Sequence, residues 1–162
     1  MLPPSTSTSV SVASSLGLAS SYSYLSGIYD SREDTLNAIN YCSSALKLEQ
    51  EVLPGEDIII GTELLRLGML NKNFQDYSKS YSCLKLAWEI VQQANPRSHL
   101  VVLCLSHLIE LFDKLRDSAR AKKFRSKHER LIDEMRVARS DNIERATEMN
   151  KRFHQREWET AL

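Results

Sequence analysis

Shifted by 42 residues onto itself, the chain brings small or apolar landmarks into register: Ala38 falls on Ser80, Cys42 on Leu84, Ala45 on Ala87 and Pro54 on Pro96. Self-similarity at such a period marks stacked helical repeats, in which one helix pair cannot bury its apolar face alone and its neighbours complete the core. The expected fold is all-α: antiparallel helical hairpins stacked as an array, with a long C-terminal helix. The expected role is binding.

Three zones are read along the chain. Residues 1–29 form a Ser/Thr-rich leader with few large side chains to offset the entropy of ordering the backbone, so most of it is expected to be disordered, with 16–29 able to form a loosely docked helix. Order is expected from Asp30 or Ser31, with Ser31 as a helix cap and Asp34 three residues on. The repeats then fill 30–118. Leu36, Ile39, Cys42, Leu46 and Leu53 recur at helical spacing until Pro54-Gly55 stops the first helix. A second helix over 57–71, apolar around most of its circumference, belongs in the middle of the stack and is expected to break at Asn71-Lys72-Asn73. A third runs to Gln93 with Tyr77, Tyr81, Leu84, Trp88 and Val91 as its buried stripe. Ser98 caps a fourth, HLVVLCLSHLIELFDKL. These four are expected to pair as two hairpins. Residues 119–162 form a charged helix whose seam (Phe124, His128, Leu131, Met135, Ala138, Asn142, Arg145, Met149) turns small or polar after Met135. Its first half is expected to cap the stack and its second half to project, with Phe153 and Trp158 free to anchor the tail or serve a partner.

Charge and cysteine usage narrow the setting. Residues 1–119 hold 9 Lys+Arg against 13 Asp+Glu and residues 120–162 hold 12 against 8, so a net charge of zero hides an acidic body and a basic tail. Such a tail suits an acidic partner or a solvated helix. The three cysteines are odd in number and form no CxxC pair, so neither a disulfide framework nor a structural zinc site is indicated. No stretch reaches the roughly 18 to 20 apolar residues that cross a bilayer. The first 29 residues lack the charged region of a secretory signal and the arginines of a mitochondrial presequence. The expected location is cytoplasmic, with a nuclear location also open, and no membrane association.

The stretch Leu64…Leu67-Gly68…Asn71…Ser80…Leu84…Ala87 resembles the tetratricopeptide pattern. In that pattern small residues such as Gly68 and Ser80 let two helices approach, and bulky ones such as Leu64, Leu67 and Leu84 fill the space between. Asn71 replaces the usual aromatic, and the period exceeds the usual 34. A narrower resemblance covers about residues 36–116, where AL at 45–46, PGED, LLRLGML, LKLAWEI and RSHLVVLCL are similar to the C-terminal helical domain of the SMYD (SET-and-MYND) lysine methyltransferases. The Arg97-x-His99 turn belongs to that likeness. Long-period tetratricopeptide proteins such as kinesin light chains approximate the same residues. The SET segment, the MYND zinc cluster and the post-SET cysteines have no counterpart here, so the resemblance implies the binding appendage without methyl transfer.

No catalytic constellation stands out. Cys104-x-x-His107 shares a helix face, with His99 upstream, but Cys104 lies in an apolar run and reads as core filler; Glu110 and Asp113 read as a solvated pair. With five glycines there is no GxGxxG, P-loop or G-x-S-x-G. Neither a cofactor nor a metal is expected. The tetratricopeptide register instead implies a concave strip of Leu65, Met69 and Lys72, continued by His107, Leu111 and Lys114. A peptide or helix laid there is expected to meet apolar contact from Leu65, Met69 and Leu111 and to place a carboxylate on Lys72 or Lys114. Core positions for Leu65 and Leu111, or a tail folded into the groove, are the competing reading. Leu65 and Met69 stand where a chaperone carboxylate clamp needs Lys and Asn, which argues against that clamp. The expectation is therefore a non-catalytic protein–protein interaction module. Two alternatives stand beside it: a SET-less accessory fragment of a SMYD-like protein, and weak nucleic-acid binding through Lys122, Lys123, Arg125, Lys127 and Arg130. The interspersed Glu129, Asp133 and Glu134 argue against the last.

Overall fold

Asp34, Asp76 and Asp117 stand at equivalent places in three alternate turns, and they set the repeat. The structure, a computed structural model, describes the backbone of residues 6–160 and the side chains of residues 11–152. Six helices follow in chain order, α1 (Thr6–Ser31), α2 (Thr35–Val52), α3 (Ile58–Asn73), α4 (Tyr77–Ala94), α5 (His99–Lys114) and α6 (Ser118–Thr160), and no strand occurs among the described residues. The turns α1–α2, α3–α4 and α5–α6 share one design. Glu33, Gln75 and Arg116 adopt positive φ angles of 63°, 66° and 57°. Behind them, Asp34, Asp76 and Asp117 donate their backbone N–H to the Tyr29, Asn71 and Phe112 carbonyls. This is the Schellman closure of a helix C-terminus. The carboxylates of the same aspartates then accept from the amides of Asn37, Lys79 and Arg120 in the next helix.

That repetition defines three hairpins, α1/α2, α3/α4 and α5/α6, each helix pair packed along its length, with α2 on α3 and α4 on α5 joining them. Two expectations are corrected here. The pairing is offset by one helix from the two hairpins read from the sequence, and the leader supplies the missing first helix. Ala19 and Ser26 of α1 are 1% and 0% exposed against α2, and Tyr22 and Tyr29 place their rings 5.9 and 5.2 Å from that of Tyr41. Small residues buy a close approach and tyrosines supply the area, so few large aliphatics are needed. Ser31 lies in the last turn of α1, and Asp34 is the cap of α2. Residues 1–5, also assigned to the leader, lie outside the described residues.

The two helices of the second hairpin touch because their contact positions are small. A Cβ added at Gly68 would lie 2.7 Å from Leu84 Cγ, and one at Gly61 would lie 2.9 Å from Ile90 Cγ2. The core runs continuously through Ala38, Cys42, Leu64, Leu84, Val91, Cys104, Leu108 and Phe112. As expected, α3 ends in the Asn71-Lys72-Asn73 run, at Asn73, after the Asn71 side-chain amide has donated to the Leu67 carbonyl at 2.8 Å. The far end of the stack is closed by the first half of α6. Phe124 stacks on Phe112 at 5.5 Å and meets Trp88 edge-on at 6.0 Å, Leu131 is 8% exposed, and Met135 packs against the core. From residue 139 to residue 152 α6 is exposed all round. Phe153 and Trp158, named above as candidate anchors, have side chains outside the described residues.

Candidate peptide-binding surface

The first helices of the three hairpins line one side of the stack. There α3 touches α5 directly and reaches α1 through Arg66, whose Nη1 donates to the Ser23 carbonyl at 2.8 Å. On the other side α4 and α6 meet through long aromatic side chains. The α1–α3–α5 side is therefore the side on which α3 bridges its two neighbouring first helices.

The six residues nominated from the sequence fall into three groups on this face. Leu65 and Leu111 are 4% and 0% exposed and belong to the core, so they offer no ligand surface. Lys72 and His107 come together. The Lys72 ammonium is buried, pairs with the Glu110 carboxylate and lies 3.0 Å from His107 Nδ1. Glu110 Oε2 is also 3.2 Å from that nitrogen. Burial and the adjoining ammonium hold His107 below its usual range, and the hydrogen bond from Lys72 holds Glu110 low. The group is internally neutralised, so Lys72 is a fastener between α3 and α5 rather than a receptor for a carboxylate. Met69 and Lys114 are exposed and available.

Sequence reasoning missed the α1 portion of this face. Ser20, Ser23, Tyr24, Gly27, Ile28, Ser31 and Arg66 surround an open cleft of about 550 Å³. Tyr24 is 72% exposed beside the half-exposed Arg66 guanidinium. The signal was present: the same 42-residue shift that aligns Ala38 with Ser80 carries Met69 back to Gly27, Arg66 to Tyr24 and Leu65 to Ser23.

Elsewhere the chemistry is muted. Cys104 is fully buried and its thiol is pushed up to about 12 by that burial, so it carries no thiolate at neutral pH. Burial also pushes up the Cys42 thiol, whose Sγ lies 3.7 Å from the Glu63 carbonyl. No group of three or more His, Cys, Asp or Glu among the described residues is arranged to hold a metal ion. In the basic start of α6, Arg125 pairs with Asp113 at 3.0 Å, Lys127 lies 4.5 Å from the Trp88 ring centre, and Arg130 is 3.6 Å from Glu134. No described helix is long and apolar enough to cross a membrane.

No protein-family model and no curated protein match the sequence. Among solved structures the chain is similar to the crystal structure of BtubC (BKLC) from P. vanneervenii, with a TM-score of 0.66 and 24% identity over 75% of this chain and 46% of that one. The chain therefore spans less than half the length of this neighbour. At that identity the likeness establishes architecture alone, an all-α array of antiparallel helical hairpins ending in a long helix.

Proposed function

We propose that this chain is a non-catalytic interaction module that takes a peptide or helical segment of another protein along its α1–α3–α5 face. The observation that carries the reading is the open cleft of about 550 Å³ lined by Arg66, where Ser20, Ser23, Gly27 and Ser31 leave room for a backbone and Tyr24 stands exposed; Met69 is exposed on α3 as well. Exposed aromatic and methionine side chains beside a cation are the usual ingredients of a peptide groove. A partner segment would place apolar side chains on Tyr24 and Met69 and an acidic group on Arg66 or Lys114.

The test is affinity purification with the full chain, comparing wild type with Tyr24→Ala and Met69→Glu and following helicity by circular dichroism. Both positions are exposed, so both variants should keep wild-type helicity. Loss of the same partners from both supports the face; partners retained by both remove it from consideration.

A further inference from the structure

Glu49 of α2 and Glu63 of α3 are both buried at the joint between the first and second hairpins, with Glu63 close enough for its charge to act on Glu49. They are 5% and 4% exposed, and Glu49 Oε2 and Glu63 Oε1 each lack a hydrogen-bond partner. Among the described residues the only compensation is partial. Arg66 Nε stands 4.0 Å from Glu63 Oε2, while its Nη1 is committed to the Ser23 carbonyl of α1. The other charged or titratable groups near the pair are Asp57 at the start of α3, the Cys42 thiol of α2 and, beside Cys42, the Cys83 thiol of α4. None of these supplies a cation.

Two ionised carboxylates in such a place leave two buried acceptors and a like-charge repulsion without relief. One proton removes both problems, because a protonated carboxyl becomes a donor while its neighbour still accepts. We infer that Glu49 holds a proton up to the neutral range and directs it toward Glu63, making the α2–α3 joint a proton-operated latch that holds the first hairpin on the stack. Removal of that proton loosens the joint and, with it, the seat of Arg66 on α1. Burial and then Glu63 push Glu49 from an ordinary 4.5 up to about 7. An acid whose proton is held more tightly in the fold than in the open chain stabilises the fold most below 4.5, and that contribution is lost as pH climbs through about 7.

The direct measurement is an NMR titration of the full chain labelled with ¹³C at glutamate carboxyls. The Glu49 signal is assigned through its own side-chain correlations, so no variant needs to fold. A midpoint near 7 is expected; a midpoint in the ordinary glutamate range overturns the proposal. In Glu63→Gln the Glu49 midpoint should move down, and an unmoved midpoint would mean the two carboxyls are uncoupled. Thermal melts at about pH 5.5 and 8.5 should show a fall in wild-type Tm that Glu49→Gln reduces. Parallel falls in both proteins would count against the latch.

Discussion

Ser80 Oγ donates to the Gly68 carbonyl at 2.8 Å, and one repeat earlier Ser26 Oγ donates to the Ala38 carbonyl at 2.9 Å. Ser26 occupies the position of Gly68 and Ala38 that of Ser80, so the same link recurs with its direction reversed. Both serines are fully buried. In the first two hairpins the helices approach through one very small residue and one serine, and it does not matter which helix carries the hydroxyl. In the third hairpin the equivalent pair is Ile109 and Ala121, which leaves no hydroxyl to make the bond.

Gly68→Ala tests the close approach. The added methyl would meet Leu84, which is itself fully buried, at 2.7 Å. Overpacking of this kind costs about 1–3 kcal/mol, against a gain of about 1 kcal/mol from replacing glycine within a helix. The net expectation is a loss of about 1 kcal/mol, read as a lower urea midpoint with unchanged slope. A stabilised variant would show that α3 and α4 can move apart freely.

How far the sequence disclosed the stack is clearest at these contacts. The small-residue landmarks Ala38, Ser80, Ala45 and Ala87 were legible because a fixed period repeats them, and they led to the right architecture. Hairpin pairing was not legible in the same way. Pro54-Gly55 and Pro96 are the most conspicuous breaks in the sequence, yet they join one hairpin to the next, whereas the turns inside hairpins are marked by aspartates preceded by residues of ordinary composition. The leader was misjudged because its burial relies on Ala19, Ser26 and three tyrosines, none of which forms an aliphatic stripe. The nominated groove failed at Leu65 and Leu111 because register places a residue on a helix face but does not say how closely the next helix covers it.

The within-hairpin turns carry a strain that glycine would relieve. Gln75 sits at φ 66° and closes α3 by donating its amide to the Lys72 carbonyl. A side chain in this region costs roughly 1 kcal/mol or more, partly offset by glycine's greater freedom in the unfolded chain. Gln75→Gly should therefore stabilise the protein by about 0.5 kcal/mol, whereas Asp76→Ala, which removes the cap of α4, should cost about 1 kcal/mol. Chemical denaturation of the two variants side by side should give opposite signs.

The fastener between α3 and α5 predicts an acid response. Lys72 and then His107 hold Glu110 low, so the pair's contribution is present above the ordinary glutamate range and lost as pH falls through the folded value. His107, held low by burial and Lys72, acts in the same direction: the unfolded chain takes up its proton first as pH drops below 6.5. Glu110→Gln leaves the buried Lys72 ammonium without its anion, and it should lower the urea midpoint at pH 7 by the equivalent of about 1–2 kcal/mol. Because the variant has no carboxylate there to protonate, its midpoint should fall less than that of the wild type between pH 5 and pH 3.

The two halves of α6 should behave differently on truncation. Phe124 stacks on Phe112, and Lys127 covers Trp88. A chain ending at Lys123 therefore uncovers two core aromatics together with the site of Leu131, and fully burying a residue of this size is worth about 1.5–3 kcal/mol. Several such losses approach the entire stability of a small domain, so cooperative unfolding should disappear. A chain ending at Ala138 keeps Phe124, Leu131 and Met135 and removes only residues that are exposed wherever their side chains are described. Its melting temperature should stay within a few degrees of the full chain, while its helical signal falls in proportion to the residues removed. A large drop in Tm for the longer chain would mean that the outer half of α6 folds back on the body instead of standing free.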